Sequence, residues 1–249
     1  MTQWTIGVIG GSGLYEIDGL DQTETFTVET PWGDPSDALV KGRVGDVTFV
    51  FLPRHGKGHR LTPTTVPYQA NIDALKRAGC TDILSISACG SLKEDYAPGD
   101  FVMIDQFIDR TFAREKSFFG PGMVAHVSMA DPICPRLSQL AGDAAEKAGA
   151  NVHRGGTYLT MEGPQFSSRA ESHLYRQWGC DVIGMTNAPE AKLAREAELP
   201  YATVAMVTDY DCWREEEEGV TVANVLEVMA ANTAKAKETL KHFAAALHG

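Results

Sequence analysis

Two aspartates near the end of a strand-like segment, Asp209 and Asp211, have the type and spacing that best suit chemistry in this chain. They follow the apolar run 202–207, which has the composition of a buried strand. Side chains two residues apart on an extended segment share a face, so both carboxyl groups should enter one pocket. Two carboxyl groups in a desolvated pocket do not both ionise readily, so one is expected to keep its proton. The pair suits a heterocycle with an acceptor beside an amino group, such as the N7/N6 edge of adenine. A solvated turn is the alternative.

A second set of residues is typical of anion binding. A glycine-rich turn at 10–13 follows the first predicted strand, and Ser12 adds a hydroxyl donor to accessible backbone N–H groups. Arg54 and His55 follow another predicted strand, where a guanidinium and an imidazole would donate to a tetrahedral oxyanion. An ordinary tight turn and a surface salt bridge are the alternatives for the two segments.

Three more predicted strands end in residues that suit a flat ligand and its anion. Ser87 and Ala88 are small enough for a ligand to lie against the backbone, and Met185 with Thr186 offers an apolar wall and a hydroxyl. Phe166 would stack on a base, although a loop phenylalanine is often part of a core. One anion site beside one heterocycle site indicates phosphorolysis of a nucleoside.

The elements that would position these residues alternate between strand and helix. Strands are predicted at 5–9, 47–52, 82–86, 101–104, 157–160, 181–183 and 202–207, and helices at 68–78, 135–148, 169–178, 188–197 and 222–247. This alternation predicts a single α/β domain over residues 1–249, with a central mixed, mostly parallel sheet flanked by helices. Ligands of such sheets bind at the carboxyl ends of the strands.

The composition excludes several function classes. A net charge of −11 argues against binding to nucleic acid or to an anionic membrane surface. The five cysteines are widely spaced and lack a Cys-x-x-Cys motif, so we expect reduced thiols and no metal site. With neither a signal peptide nor an apolar stretch of about 18 residues, the protein is predicted to be cytoplasmic.

The motifs resemble those of the methylthioadenosine phosphorylases, within the trimeric purine nucleoside phosphorylase superfamily. The resemblance runs from Ile6 to about Leu240 and rests on segments 10–14 (GGSGL), 30–33 (TPWG), 35–37 (PSD), 54–56 (RHG), 88–91 (ACGS), 104–110 (IDQFIDR), 162–164 (EGP), 166–172 (FSSRAES), 185–186 (MT), 189–190 (PE) and 208–213 (TDYDCW). It implies a nucleoside phosphorylase fold, a homotrimer, and inorganic phosphate as co-substrate with no metal or organic cofactor.

The resemblance also implies roles for individual residues. The phosphate site would comprise Ser12, Arg54, His55, Ser87, Ala88 and Thr186. The nucleoside would contact Phe166, Met185, Tyr210, His59 and Val225, with Asp209 and Asp211 on adenine as the catalytic pair and His126 reaching into a neighbouring subunit's site. Ser167 and Val222 match positions that separate adenine-type from 6-oxopurine-type members.

Several positions depart from the family pattern. Ser12 and Ser87 stand where threonine is frequent, Gln165 where arginine is frequent and Pro67 where asparagine is frequent. Longer relatives have a tail that helps to cover the 5′ pocket, whereas this sequence ends at Gly249. Selectivity for adenine is therefore predicted more firmly than selectivity for the methylthio group.

The expected reaction is attack of phosphate on C1′ of methylthioadenosine, with Asp209 donating a proton to N7 and Asp211 orienting the amino edge. On this assignment Asp209→Asn should retain more activity than Asp209→Ala. The alternatives are a phosphorylase of 6-oxopurine nucleosides, a nucleosidase that uses water, and a nucleotide-binding sensor without turnover.

Overall fold

The computed structural model describes residues 4–11, 14, 17, 19–214 and 222–247, without the side chains of residues 222–226. These residues form one sheet of 11 strands together with five helices. The strands are β1 (Thr5–Gly10), β2 (Asp21–Phe26), β3 (Leu39–Val44), β4 (Val47–Pro53), β5 (Asp82–Ser91), β6 (Phe101–Met103), β7 (Gln106–Asp109), β8 (Val152–Arg154), β9 (Thr157–Thr160), β10 (Val182–Gly184) and β11 (Tyr201–Asp209). The helices are α1 (Tyr68–Arg77), α2 (Pro135–Lys147), α3 (Arg169–Gln177), α4 (Asn187–Glu196) and α5 (Val222–Ala246).

Strand β5 is the centre of the sheet. It pairs in parallel with β1 and β11, and its last two residues pair antiparallel with β10. The main path runs β2-β3-β4-β1-β5-β10-β9-β7, and β11 connects β5 to β6, which in turn pairs with β8. Six of the ten strand pairings are parallel, which confirms the predicted mixed, mostly parallel sheet.

Four of the five helices pack in two pairs beside this sheet. Helix α1 packs against α4, and α2 packs against α5 and β11. Helix α2 begins at Pro135, whose fixed φ suits a first helical position. The prediction of flanking helices is confirmed. Among the described residues, no helix has both the length and the apolar character needed to cross a membrane.

The parallel strands bring distant segments to one edge of the sheet. Strands β1, β4, β5 and β11 run in the same direction, so the residues that follow them lie close together. The backbone N–H of Arg54, just after β4, donates to the carbonyl of Gly10 at the end of β1 at 2.9 Å. Strand β10 reaches the same edge from the opposite direction, because β5 continues to Ser91 and meets β10 there.

Candidate active site

A cavity of about 400 Å³ opens at this edge of the sheet. Its wall contains predicted phosphate residues, namely Arg54, His55, Ser87, Ala88 and Thr186. It also contains predicted nucleoside residues, namely His59, Phe166, Met185, Asp209 and Asp211. We refer to the part of the wall formed by the first set as the anion end and to the part formed by the second set as the base end. Six strands, β1, β4, β5, β9, β10 and β11, and the start of α4 thus contribute to a space large enough for a small ligand.

Six predicted residues are not seen in the cavity wall. Ser12 lies outside the described residues, as do the side chains of Val222 and Val225. The ring of Tyr210 packs edge-on against Trp213, with ring centroids 6.0 Å apart. Ser167 is buried with its hydroxyl 3.6 Å from the sulfur of Met161, and His126 is exposed. The roles of these six residues stay predictions.

Arg54 at the anion end forms a buried ion pair with Glu190 and not a surface salt bridge. Its Nε and Nη2 atoms donate to Glu190 at 2.7 and 3.0 Å, and Nη2 also donates to Ser85 Oγ at 2.7 Å. Both partners of the pair are at most 3 % exposed. Burial alone would lower the pKa of Arg54, but the Glu190 carboxylate outweighs it and the pKa is raised. Nη1 makes one long contact, to the Ile86 carbonyl at 3.5 Å, so part of its donor capacity remains for a ligand.

Glu190 was noted in the sequence only within the segment 189–190 and was given no role there. It lies in the first turn of α4 and accepts from Ser85 and Tyr201 hydroxyls at 2.8 and 2.9 Å besides binding Arg54. These hydrogen bonds hold its carboxylate, and therefore the guanidinium, in one orientation. A glutamate between small apolar residues in 187–194 was the available signal, but the sequence did not connect it to Arg54.

Two hydroxyl groups complete the anion end. Ser87 Oγ is buried and makes no well-formed hydrogen bond with the described residues, and its polar neighbour is the buried Tyr158 hydroxyl. Thr186 is the N-cap residue of α4, yet its side chain makes no capping hydrogen bond. An unpaired buried hydroxyl costs free energy unless a ligand binds it. Both hydroxyls are therefore suitable donors for an oxyanion.

His55 has a defined protonation state. Its Nδ1 lies 2.9 Å from the Leu61 carbonyl, and its ring stacks on that of His59 with centroids 4.3 Å apart. Burial, together with the neighbouring charge of Arg54, lowers the pKa of His55 to about 4. The imidazole is therefore neutral at physiological pH.

The two aspartates share the cavity, but not for the reason the sequence indicated. Extended structure ends at Asp209, and Asp211 adopts a left-handed conformation with φ of +53°. The turn is closed by the Asp211 N–H, which donates to Asp209 Oδ1 at 2.8 Å, while Thr208 Oγ1 donates to Oδ2 at 2.6 Å. The expectation of strand alternation through Asp211 was wrong, because a turn rather than a strand brings the second carboxyl group to the pocket.

The environments of the two carboxyl groups differ. Both oxygens of Asp209 have a polar neighbour: the Asp211 N–H donates to Oδ1, and Thr208 Oγ1, which also lies 3.1 Å from the Cys89 carbonyl, contacts Oδ2. Oδ2 of Asp211 is buried without a hydrogen-bond partner among the described residues. Burial raises the pKa of Asp211, the Ser172 side chain opposes this, and the Asp209 charge adds a smaller increase. The net shift is towards the neutral form of Asp211.

Close packing fixes the base end. A Cβ on Gly90 of β5 would lie 3.0 Å from Asp209 Oδ1 and 3.2 Å from Ile183, so only glycine fits there without displacement. Three methionines that the sequence did not assign to the site, Met161, Met206 and Met229, also line the cavity. Such flexible, polarisable side chains form an adaptable apolar wall.

Known proteins are similar to this chain over nearly its whole length. Residues 5–245 match the model of the phosphorylase superfamily. The chain is 63 % identical over 232 residues to S-methyl-5′-thioadenosine phosphorylase of Cereibacter sphaeroides, covering 93 % of this chain and 80 % of the relative. It is 60 % identical over 249 residues to the protein of the same name from Rhodospirillum rubrum, covering 98 % and 83 %.

Solved structures are similarly close. A methylthioadenosine phosphorylase from an antarctic soil metagenomic library superposes with a TM-score of 0.94 at 49 % identity, covering 99 % of this chain and 88 % of the other. A variant of adenosine/methylthioadenosine phosphorylase from Schistosoma mansoni, in complex with methylthioadenosine, gives a TM-score of 0.91 at 42 % identity, with 99 % and 92 % covered.

Proposed function

The chain belongs to the phosphorylase superfamily, and on this basis we propose that it catalyses phosphorolysis of S-methyl-5′-thioadenosine. The products are adenine and S-methyl-5-thio-α-D-ribose 1-phosphate, so the enzyme is a pentosyltransferase of purine and methionine salvage. The observation that carries this function is a single cavity with oxyanion donors at one end and a carboxyl pair at the other. Relatives of that name at 56–63 % identity support it.

At the anion end, phosphate binds to Arg54 Nη1 and to the hydroxyls of Ser87 and Thr186, with Ser12 and the backbone at Ala88 as further contacts. Phosphate is already anionic, so its attack on C1′ requires positioning more than a base. No metal or organic cofactor enters this reaction, because phosphate is the nucleophile and the carboxyl pair supplies the proton.

At the base end, adenine becomes a leaving group by accepting a proton at N7 as the C1′–N9 bond breaks. General acid help of this kind is worth about 10²–10⁴ in rate. The buried Oδ2 of Asp211 and the raised pKa of this residue support Asp211 as the carboxyl group that holds the proton before the substrate binds. Met185 and Phe166 flank the nucleoside, and His59 lies towards its 5′ group with Val225.

The homotrimer is part of the same proposal. Large apolar side chains in the segment 112–124 that precedes His126 are exposed in the single chain: Phe112 by 83 %, Met123 by 68 % and Val124 by 73 %. Burying such residues against a second copy would remove an apolar surface that monomers rarely keep. The same contact would carry His126 to a neighbouring cavity. We further propose a cytoplasmic enzyme whose partners are a nucleoside and phosphate, not nucleic acid or a membrane.

The test is the initial rate of base release from methylthioadenosine, methylthioinosine, adenosine and inosine, each with and without phosphate. We expect phosphate-dependent release of adenine that is fastest from methylthioadenosine. A preference for the inosine forms would favour a 6-oxopurine phosphorylase and refute the adenine assignment. Release that is independent of phosphate would instead indicate a nucleosidase and would remove the role of Arg54.

A further inference from the structure

The hydrogen bond of His55 determines which of its ring nitrogens carries the proton. A backbone carbonyl only accepts, so the contact of 2.9 Å with the Leu61 oxygen requires Nδ1 to be the N–H donor. The ring is neutral at physiological pH because burial and the Arg54 charge disfavour a second proton. Nε2 therefore has a lone pair and no hydrogen, which makes it an acceptor only.

This acceptor lies in a wall that otherwise offers donors. His55 lines the anion end beside Arg54, Ser87 and Thr186, and Nε2 makes no hydrogen bond within the described part of the chain. The charged and titratable groups around the ring are Arg54, the stacked His59 and, behind Arg54, Glu190. An oxyanion bound against these residues would meet both hydrogen-bond donors and a lone pair.

We propose that His55 is a specificity residue that accepts the P–OH hydrogen bond of hydrogen phosphate and thereby rejects tetrahedral anions that carry no proton, such as sulfate. This rests on the anion end being the phosphate site of the proposed function. It differs from the expectation that His55 donates to phosphate. A site that pairs with a substrate hydroxyl discriminates strongly against an analogue without it, because polar groups are left unpaired or opposed.

The same hydrogen bond orients the nucleophile. With the P–OH held at His55, an unprotonated oxygen of HPO₄²⁻ forms the bond to C1′ while the C1′–N9 bond breaks and its electron pair goes to adenine. The P–OH proton stays on the phosphoryl group throughout, and the proton that adenine receives comes from the carboxyl pair. The charge of −2 on HPO₄²⁻ ends as −1 on the sugar phosphate and −1 on the carboxylate.

Three oxyanions test the proposal on the unmodified enzyme at constant ionic strength. Phosphate and arsenate both carry an X–OH group near neutral pH, whereas sulfate does not. We expect arsenate to support base release with a KM close to that of phosphate, and sulfate to inhibit competitively with a constant about 10- to 100-fold higher than the phosphate KM. An inhibition constant of sulfate that is close to the KM of phosphate would overturn the proposal. The proposed function, phosphate-dependent release of adenine, would still stand.

Two variants identify the residue responsible. In His55→Gln, an amide near the position of Nε2 can rotate to accept or to donate a hydrogen bond. Phosphate binding should therefore persist, and the inhibition constant of sulfate should fall about tenfold. In His55→Asn, the amide can still donate to Leu61 but reaches no ligand, so phosphate should bind more weakly. An unchanged ratio of sulfate to phosphate constants in His55→Gln would overturn the role of His55. If base release needs no phosphate at all, the proposed function itself fails, which is a separate outcome.

Discussion

The two ends of the cavity differ in how their charges are balanced. At the anion end, the positive charge of Arg54 is neutralised by Glu190, and both lie in a saturated, buried network. At the base end, Asp211 is in a left-handed turn and one of its oxygens is buried without a partner among the described residues. The charge of Arg54 at the anion end is thus balanced before phosphate arrives, whereas the carboxyl group at the base end is balanced only when its ligand binds.

This difference explains how an acidic chain can bind a dianion. The net charge of −11 provides no general attraction for phosphate, and the local cation is already paired. Recognition must then depend on the direction of a few donors and one acceptor rather than on net positive charge. The unpaired carboxyl oxygen at the base end is a cost that a bound heterocycle would relieve, which is typical of strain at a functional site.

Replacing the proton donor should have the largest effect. We expect Asp211→Ala to lower kcat/KM by about 10²–10⁴, because protonation of the leaving group is lost, and Asp211→Asn to retain more activity because its amide still donates. Asp209→Asn should not rescue activity in the same way, since Asp209 accepts two hydrogen bonds. Rescue by asparagine at 209 but not at 211 would return the donor role to Asp209.

The pH dependence sharpens this prediction. The raised pKa of Asp211 keeps the carboxyl group protonated to a higher pH, so kcat/KM should fall as pH rises through the apparent pKa of the pair. In Asp211→Asn the donor cannot ionise, and this alkaline decline should be absent. If kcat/KM of Asp211→Asn still declined at the same pH as in the wild type, the assignment of Asp211 as the donor would be contradicted.

Breaking the buried ion pair at the anion end should have the next largest effect. Glu190→Ala leaves Arg54 as an uncompensated buried charge, and we expect a loss of about 3–5 kcal/mol in the free energy of unfolding, measured by urea denaturation. Tyr201→Phe removes one donor to Glu190 and is the matched control, with an expected loss of about 1 kcal/mol. Residual Glu190→Ala activity should show a higher KM for phosphate than the wild type, with little change in the KM for nucleoside. Equal losses in both variants would mean that the pair contributes little beyond one hydrogen bond.

The same contrast explains what the sequence could predict. The apolar runs of β1, β4, β5 and β11 identified the strands, and parallel pairing then placed Arg54, Ser87 and Asp209 at one edge. The polar, exposed strand β2 at the sheet edge had no periodic signal and was missed, as were β3, β7 and β8.

Side-chain pairing was harder to predict than backbone placement. Glu190 lies 136 residues from Arg54 in the chain, and nothing in local spacing links them. The left-handed turn at Asp211 depends on a hydrogen bond to the side chain of Asp209, which a strand pattern does not encode. The neutral state of His55 likewise follows from burial and from a contact with Leu61, both of which require the folded structure.

A methyl group at Gly90 should have the smallest effect on kcat/KM of the changes considered. It distinguishes an effect on the catalytic carboxyl group from an effect on the packing of the fold. In Gly90→Ala the new Cβ lies 3.0 Å from Asp209 Oδ1, so the carboxyl group must shift, and we expect kcat/KM to fall about tenfold with about 1–3 kcal/mol of destabilisation. Gly7→Ala is the matched control, because its Cβ would lie 3.3 Å from Leu75 and Cys80 in the core beneath the same sheet, away from the cavity wall. It should destabilise the fold to a similar degree and leave kcat/KM unchanged at a temperature where both variants are folded. If both variants lose the same activity, the loss comes from weaker packing and not from the shift of Asp209. The base end would then tolerate this shift, and the two ends would differ in protonation alone.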